Sequence, residues 1–431
     1  MKQASIIRRE GNMRKLMQPL AVMAALAVAG PAHSDDKKPL AGKTITVLVP
    51  SPQASNIAAD FEAETGIHVN MQTLAWDDIR PKLVTALIAG TTPADVTEID
   101  WSWTGQFSAA GWYAPLNDAI NAEALKDIGV SGIFTVDGKL LGIPYSNDFR
   151  VMLVNKKHFK DAGIAEMPKT LDELAAAAKK IKEKGIVNYP IGLPLSPTEG
   201  ASTSWYLLTK AFGGDLFDAN FEPLFTKPDS AGYKALEFEL KLLKDGLVDP
   251  ASTNLKDSQI NEGQFAQGLT SIMISGEPGR LGQMNDPAQS KVAGQVEAIP
   301  VATSSGNTRS FGLPEAIGIP NVSQNKEAAI EFIKWFTAKK FQTQNYTANG
   351  ILPTRTSVLA ELNDAGKLRS GSALVTQSKT VEALFPQGTP TWYPQFSSAV
   401  NTAINSAAKG QMTVEQAVQS IAEATKQAKA Q

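Results

Sequence analysis

Thr44-Ile45-Thr46-Val47-Leu48-Val49 is a β-branched run closed by Pro50, a pattern that predicts a buried strand. A polar loop from Ser51 to Asn56 follows, and then Ile57, Ala58 and Phe61 share one face of a helix. Ile67 to Leu74 predicts a second strand, Arg80 to Ala89 a helix stopped by Gly90, and Ala94 to Ile99 a third strand. Strand and helix alternate, so the expected fold class is α/β with a largely parallel sheet.

The middle of the chain repeats this order. Phe149 to Val154 predicts a strand. Thr170-Leu171-Asp172-Glu173 is a capping box, in which the Thr170 hydroxyl takes the amide of Glu173 while the Glu173 carboxylate reaches back. The helix it opens ends in Lys179, Lys180, Lys182 and Lys184 before Gly185, where the dipole favours cations. Ala329, Phe332, Ile333 and Phe336 form a core stripe on a later helix, and Ser397 to Lys429 is helical and amphipathic. No short internal period points to a solenoid or propeller. Two doubly wound lobes are expected.

The first residues belong to export rather than to the fold. Arg14 and Lys15 precede an apolar run from Leu16 to Ala29, and small residues through Ser34 lead to Asp35-Asp36. This predicts a secretory signal peptide over residues 1–34, cleaved after Ala32 or Ser34, with Met13 as an alternative start. The apolar run falls short of the roughly 20 residues that span a bilayer, and no later stretch is long enough, so no direct membrane insertion is expected.

The 431 residues are enough for two full cores, and 43 % hydrophobic with 19 % charged is ordinary for a globular chain. Loss of residues 1–34 removes five basic side chains and one acid, leaving 36 basic against 42 acidic and a net charge of −6. That balance argues against nucleic acid or an anionic membrane surface as partner. The chain has no cysteine, so neither disulfides nor a lipid-modified cysteine are expected, and the mature protein should diffuse freely as a periplasmic monomer.

Catalytic signals are lacking. His33 lies in the leader or at the new terminus, and His68 and His158 stand apart, with no metal-ligand spacing. There is no thiol, no GxSxG elbow and no GxGxxG, and Gly42-Lys43-Thr44 precedes its strand instead of following one. No cofactor, metal or catalytic residue is therefore expected. Two alternatives stay open: a secreted glycosidase-like enzyme, which needs only two carboxylates, and a ligand sensor that engages a chemoreceptor.

Several segments carry a resemblance. Asp137-Gly138-Lys139-Leu140-Leu141-Gly142-Ile143-Pro144-Tyr145 resembles a "DGKxYGxPY" signature. Val154-Asn155-Lys156-Lys157-His158-Phe159, Ala162-Gly163-Ile164 and Pro168 to Leu174 are similar to "YNKxxFxxAGxxxPxTWDEL", with Val154 and Leu171 in place of aromatics. Ala328 to Tyr346 with Gly350 to Arg355, and Gln387 to Gly410, continue the match. In this order they resemble the extracellular solute-binding proteins of carbohydrate ABC importers, the maltose-binding-protein-like family. The resemblance implies a periplasmic-binding-protein-like fold of class II type, two lobes joined by three crossovers that hinge shut on ligand. It assigns 38–148 plus 309–355 to the N-terminal lobe and 149–308 plus 356–431 to the C-terminal lobe. It implies a sugar or sugar-like ligand and delivery to an inner-membrane ABC permease.

A sugar site needs planar rings for its C–H faces and polar side chains for its hydroxyls, converging beyond the carboxyl ends of strands. Gln53, with Ser55 and Asn56, follows the first strand, and Trp76 follows the second. Asp100-Trp101-Ser102-Trp103 follows the third, and two indoles beside a carboxylate make Asp100, Trp101 and Trp103 the best local cluster. The resemblance adds Asp148, seven residues before Asn155, with Arg150 on the same strand face; Trp205 near a helix start; and Glu277, in Gly276-Glu277-Pro278, where the family's "GPW" turn carries a tryptophan that is missing here and Glu277 would hydrogen-bond instead. It adds Phe311 beside a single glycine, and Trp392 with Tyr393 as stacking residues.

Overall fold

The computed structural model describes residues 38–50, 56–74 and 76–430. Residues 40–431 form one compact unit. Nine strands build its two principal sheets: β1 (Thr44–Val49), β2 (His68–Thr73), β3 (Val96–Asp100), β4 (Ile143–Ser146), β5 (Val151–Asn155), β6 (Ile191–Gly192), β7 (Ile272–Gly276), β8 (Val296–Ile299) and β9 (Glu315–Gly318).

The first sheet has the order β2-β1-β3-β9-β4. β1 runs parallel to both β2 and β3, as alternating strands and helices predict, whereas β9 is antiparallel to β3 and β4. β9 arrives from far along the chain and inserts between strands laid down earlier. Ile45, Val47, Leu48 and Val49 are all fully buried, so β1 is covered on both faces. Phe61 on the helix Ile57–Thr65 meets Phe332 edge-on at 5.2 Å, and Phe332 stacks on Phe336 at 5.2 Å within the helix Lys326–Phe336.

The second sheet has the order β8-β5-β7-β6 and is mixed, with β5 antiparallel to β8 and β7 while β6 is parallel to β7. A largely parallel arrangement therefore holds only for the opening strands of the first sheet. The period of two is visible along β5. Val151 and Leu153 face a small core with Val358, Leu359 and Leu362, while Met152 and Val154 face the main one.

The chain passes between the sheets three times, through 147–150, 300–314 and 350–356, and these passages are hydrogen-bonded to one another. The Leu313 amide donates to the Asp148 carbonyl at 2.6 Å, and the Ser310 hydroxyl to the Arg150 carbonyl at 2.6 Å. The Asn147 amide donates to the Leu352 carbonyl at 2.9 Å.

The Thr170 capping box is present, with the Glu173 amide donating to Thr170 Oγ1 at 3.1 Å. Two helices differ from expectation. The one predicted from Arg80 starts at Trp76, with Pro81 inside it. The C-terminal stretch is two helices, Tyr393–Ala408 and Val414–Lys429, parted at Gly410, whose φ of 72° ends the first. Thr413 and Gln416 cap the second reciprocally.

Candidate functional site

A cavity of about 840 Å³ is lined from both sheets. On the first sheet, β3 ends at Asp100 and the chain turns at once into a short helical turn, Trp101–Trp103. Asp100 makes that turn: its Oδ1 accepts the Ser102 amide at 2.9 Å and also the Ser102 hydroxyl. The turn sets both indoles beside the cavity while each stays 6 % exposed. Trp101 meets the Tyr393 ring edge-on at 4.8 Å, and Trp103 packs on Phe107 at 5.8 Å. Both rings are thus packed and cavity-lining at once.

Tyr393 opens the helix Tyr393–Ala408 on the far wall, and its hydroxyl bonds Glu199. Glu199 starts the helix Glu199–Ala211 and also accepts from Ser397 Oγ at 2.6 Å. Close by, a Cβ on Gly105 would stand 1.8 Å from the Thr389 carbonyl oxygen, so only glycine permits this approach. At this rim the two walls touch.

The waist supplies a chain of charge. Arg150 Nη1 donates to Asp148 Oδ1 and Oδ2 at 3.0 and 2.9 Å and lies 3.7 Å from Glu277. Arg280 Nε donates to Glu277 at 2.5 Å, and its Nη1 to Glu262 at 2.6 Å. Burial opposes ionisation of Glu277, yet Arg150 and Arg280 together hold its carboxyl below the usual range. Asp148 goes the other way, pushed up to about 6 by burial despite Arg150. Asp100 rises to about 7 by burial, and so does Glu315, by burial and then by Asp148 and Asp100.

Of the residues singled out from the sequence, Asp100, Trp101, Trp103, Asp148, Glu277 and Tyr393 come together on this cavity. Three do not. Trp205 is 0 % exposed, its Nε1 donating to the Gly232 carbonyl at 2.8 Å and its ring 5.2 Å from Phe225. One residue advances a helix by about 100°, so Ser204 lines the cavity while Trp205 joins the core stripe of Ala201 and Leu208. Phe311 is likewise 0 % exposed, packed toward Tyr206 at 6.2 Å. Trp392 turns away from Tyr393 into Phe217, Phe221, Phe385 and Phe396. Gln53 and Ser55 lie outside the described residues, and so do the side chains of Trp76 and Asp77.

Glu199, Arg280, Glu315, Asp257 and Arg80 also line the cavity, although no sequence signal singled them out. Glu199 heads a helix and is legible in hindsight as an acid at a helix N-terminus. Glu315 is placed only by strand register, opposite Asp100.

Two mixed sheets, three passages between them and a polar, ring-edged cavity where they meet define a ligand-capturing two-lobe protein of the periplasmic-binding type. The chain belongs to the bacterial extracellular solute-binding protein family, whose model matches residues 49–343. It is 29 % identical over 372 residues to the diacetylchitobiose binding protein DasA of Streptomyces coelicolor, covering 81 % of this chain and 84 % of that one. It is 26 % identical over 355 residues to the erythritol/L-threitol-binding protein of Mycolicibacterium smegmatis, covering 75 % and 72 %. An ABC transporter solute-binding protein from Thermotoga lettingae, solved with α-D-tagatose, superposes with a TM-score of 0.77 at 26 % identity, covering 90 % of this chain and 99 % of that one. Among the described residues no helix is long and apolar enough to cross a membrane.

Proposed function

We propose that this chain is the periplasmic substrate-binding component of an ABC importer, that it holds a sugar or polyol in the cavity between its sheets, and that it releases the solute unchanged to an inner-membrane permease. The observation that carries this reading is the meeting of Trp101, Trp103 and Tyr393 with hydrogen-bonding acids and guanidiniums from both sheets around one cavity. Its volume of about 840 Å³ suits a mono- or disaccharide, within the roughly 300–1,000 Å³ of small-molecule sites. The ligands named for the two relatives and the solved neighbour are sugars or polyols, which supports the same class here. In this reading residues 1–34 are a cleaved leader, the lobes are 38–148 plus 309–355 and 149–308 plus 356–431, and the protein works as an unanchored monomer. Asp100, Trp101, Trp103, Asp148, Glu277 and Tyr393 contact ligand, joined by Glu199 and Glu315.

A thermal-shift screen over sugars and polyols tests it. Ligand at 100 times its Kd stabilises by about 2.7 kcal/mol, and a Kd near 1 µM corresponds to roughly −8 kcal/mol. No shift with any member of the panel counts against the reading. Conversion of a glycan to products during incubation replaces it with the enzyme alternative.

A further inference from the structure

Among the described residues the carboxylates facing the cavity outnumber its cations, six against three. Two of the three guanidiniums are already engaged: Arg150 by Asp148 and Glu277, and Arg280 by Glu277 and Glu262. Arg80 donates to Gln106 at 2.6 Å. Asp100, Glu199, Asp257 and Glu315 have only neutral hydrogen-bond partners among the described residues.

Asp100 and Glu315 are the sharpest case. They stand directly opposite one another on antiparallel β3 and β9, where facing Cβ atoms lie about 4.5–5.5 Å apart and like charges repel. Asp100 takes its hydrogen bonds from Ser102, and Glu315 from the Tyr145 hydroxyl at 3.1 Å. That hydroxyl also sits 2.8 Å from Glu98, a fully buried acid beneath them whose Oε1 has no hydrogen-bond partner among the described residues. A column of acids thus rises through the sheet to the cavity floor.

A separate observation points to a ligand. The Ser204 hydroxyl, on the opposite wall, is fully buried, lines the cavity and has no hydrogen-bond partner among the described residues. Buried polar groups nearly always have one, and a bound solute is the partner the geometry leaves available.

We propose that the solute is cationic: a sugar or polyol carrying a protonated amine, with its ammonium seated between Asp100 and Glu315. The inference rests on the sugar-or-polyol reading and narrows it. An ammonium offers three donors and no acceptor, and ionised carboxylates only accept, so the two sets match. Burial and the neighbouring acids lift both carboxyls to about 7, and a cation beside them draws both down again. Sugar phosphates and uronates meet the uncompensated acids and are rejected.

Calorimetric titration at neutral pH with matched pairs tests this. The pairs differ only in hydroxyl against amine: D-glucose and D-glucosamine, D-glucitol and D-glucamine, cellobiose and the β-1,4-linked glucosamine dimer, with D-glucuronate as the anionic arm. In at least one pair the amine should bind at least about tenfold tighter, and glucuronate should not bind. In Asp100→Asn/Glu315→Gln the ratio should shrink to about threefold or less, with the single Glu315→Gln as a fallback if the double variant fails to fold. A ratio under tenfold in every pair overturns the inference, as does binding of glucuronate. So does silence from all the pairs while another neutral sugar or polyol binds, and in each of these cases the sugar-or-polyol reading survives. A preference that persists in the variant overturns the assignment to this acid pair. Silence across the whole panel overturns both readings.

Discussion

Replacing Asp100 by asparagine should make the protein more stable at neutral pH, and the gain should vanish in acid. Asp100 is 5 % exposed, and burial carries its carboxyl from 3.8 to about 7. At about 1.36 kcal/mol per pH unit, ionising it in the folded state costs up to about 4 kcal/mol. The sign follows from a folded value raised above the unfolded one. Below about pH 3 the proton is bound in both states and nothing is lost. As pH rises toward about 7 the unfolded chain gives up its proton first, so stability falls, and above that the full penalty is present. Asparagine never ionises, and its Oδ1 can still accept the Ser102 amide and hydroxyl. Urea unfolding of the two proteins should converge near pH 3 and separate by about 2–4 kcal/mol near pH 8, with the variant ahead. Relief of Glu315, directly opposite, adds to the gain. A pH-independent offset, or a variant weaker than the parent near pH 8, refutes the reasoning.

Three further outcomes are expected. Glu239 is buried with both carboxylate oxygens unpartnered among the described residues, and burial holds it well above the usual range; Glu239→Leu should therefore gain about 1–3 kcal/mol in urea unfolding at neutral pH, and a loss counts against an unpaired acid there. Trp205→Ala should cost about 3–5 kcal/mol as a core cavity, while the protein that remains folded keeps its ligand affinity within about threefold; a large affinity loss would return Trp205 to the site. Gly105→Ala sets a methyl against the Thr389 carbonyl, so it should hold the two walls apart and weaken ligand binding at least about tenfold with little change in the unliganded unfolding midpoint. Unchanged affinity in calorimetry would show that the rim contact does not accompany binding.

What could be read from the residues, and what could not, divides along physical lines. Patterns complete within one element were legible. The β1 run, the Thr170 capping box and the stripe from Ala329 to Phe336 each declare themselves through local periodicity or a hydrogen bond spanning three residues. The Gly410 break was readable too, since glycine three residues before a Thr413-to-Gln416 cap ends one helix and starts another, but the amphipathic pattern on either side masked it. Sheet direction was not legible, because the antiparallel place of β9 depends on a passage that returns from the other sheet.

The site divides in the same way. Asp100, Trp101 and Trp103 stood out because a strand end, a turn and three distinctive side chains fall within four positions. Trp205 and Trp392 misled for a related reason: each adjoins a cavity residue, Ser204 or Tyr393, and chemistry alone favours the larger ring. Helical phase decides otherwise, and it is set by which face the core claims, so the less conspicuous neighbour faces the cavity. Glu315 shows the limit most clearly. Nothing in its surroundings along the chain marks it, and its importance arises only because strand register brings it opposite Asp100. An electrostatic feature made of two acids more than 200 positions apart belongs to topology, and the selectivity argued for this cavity rests on it.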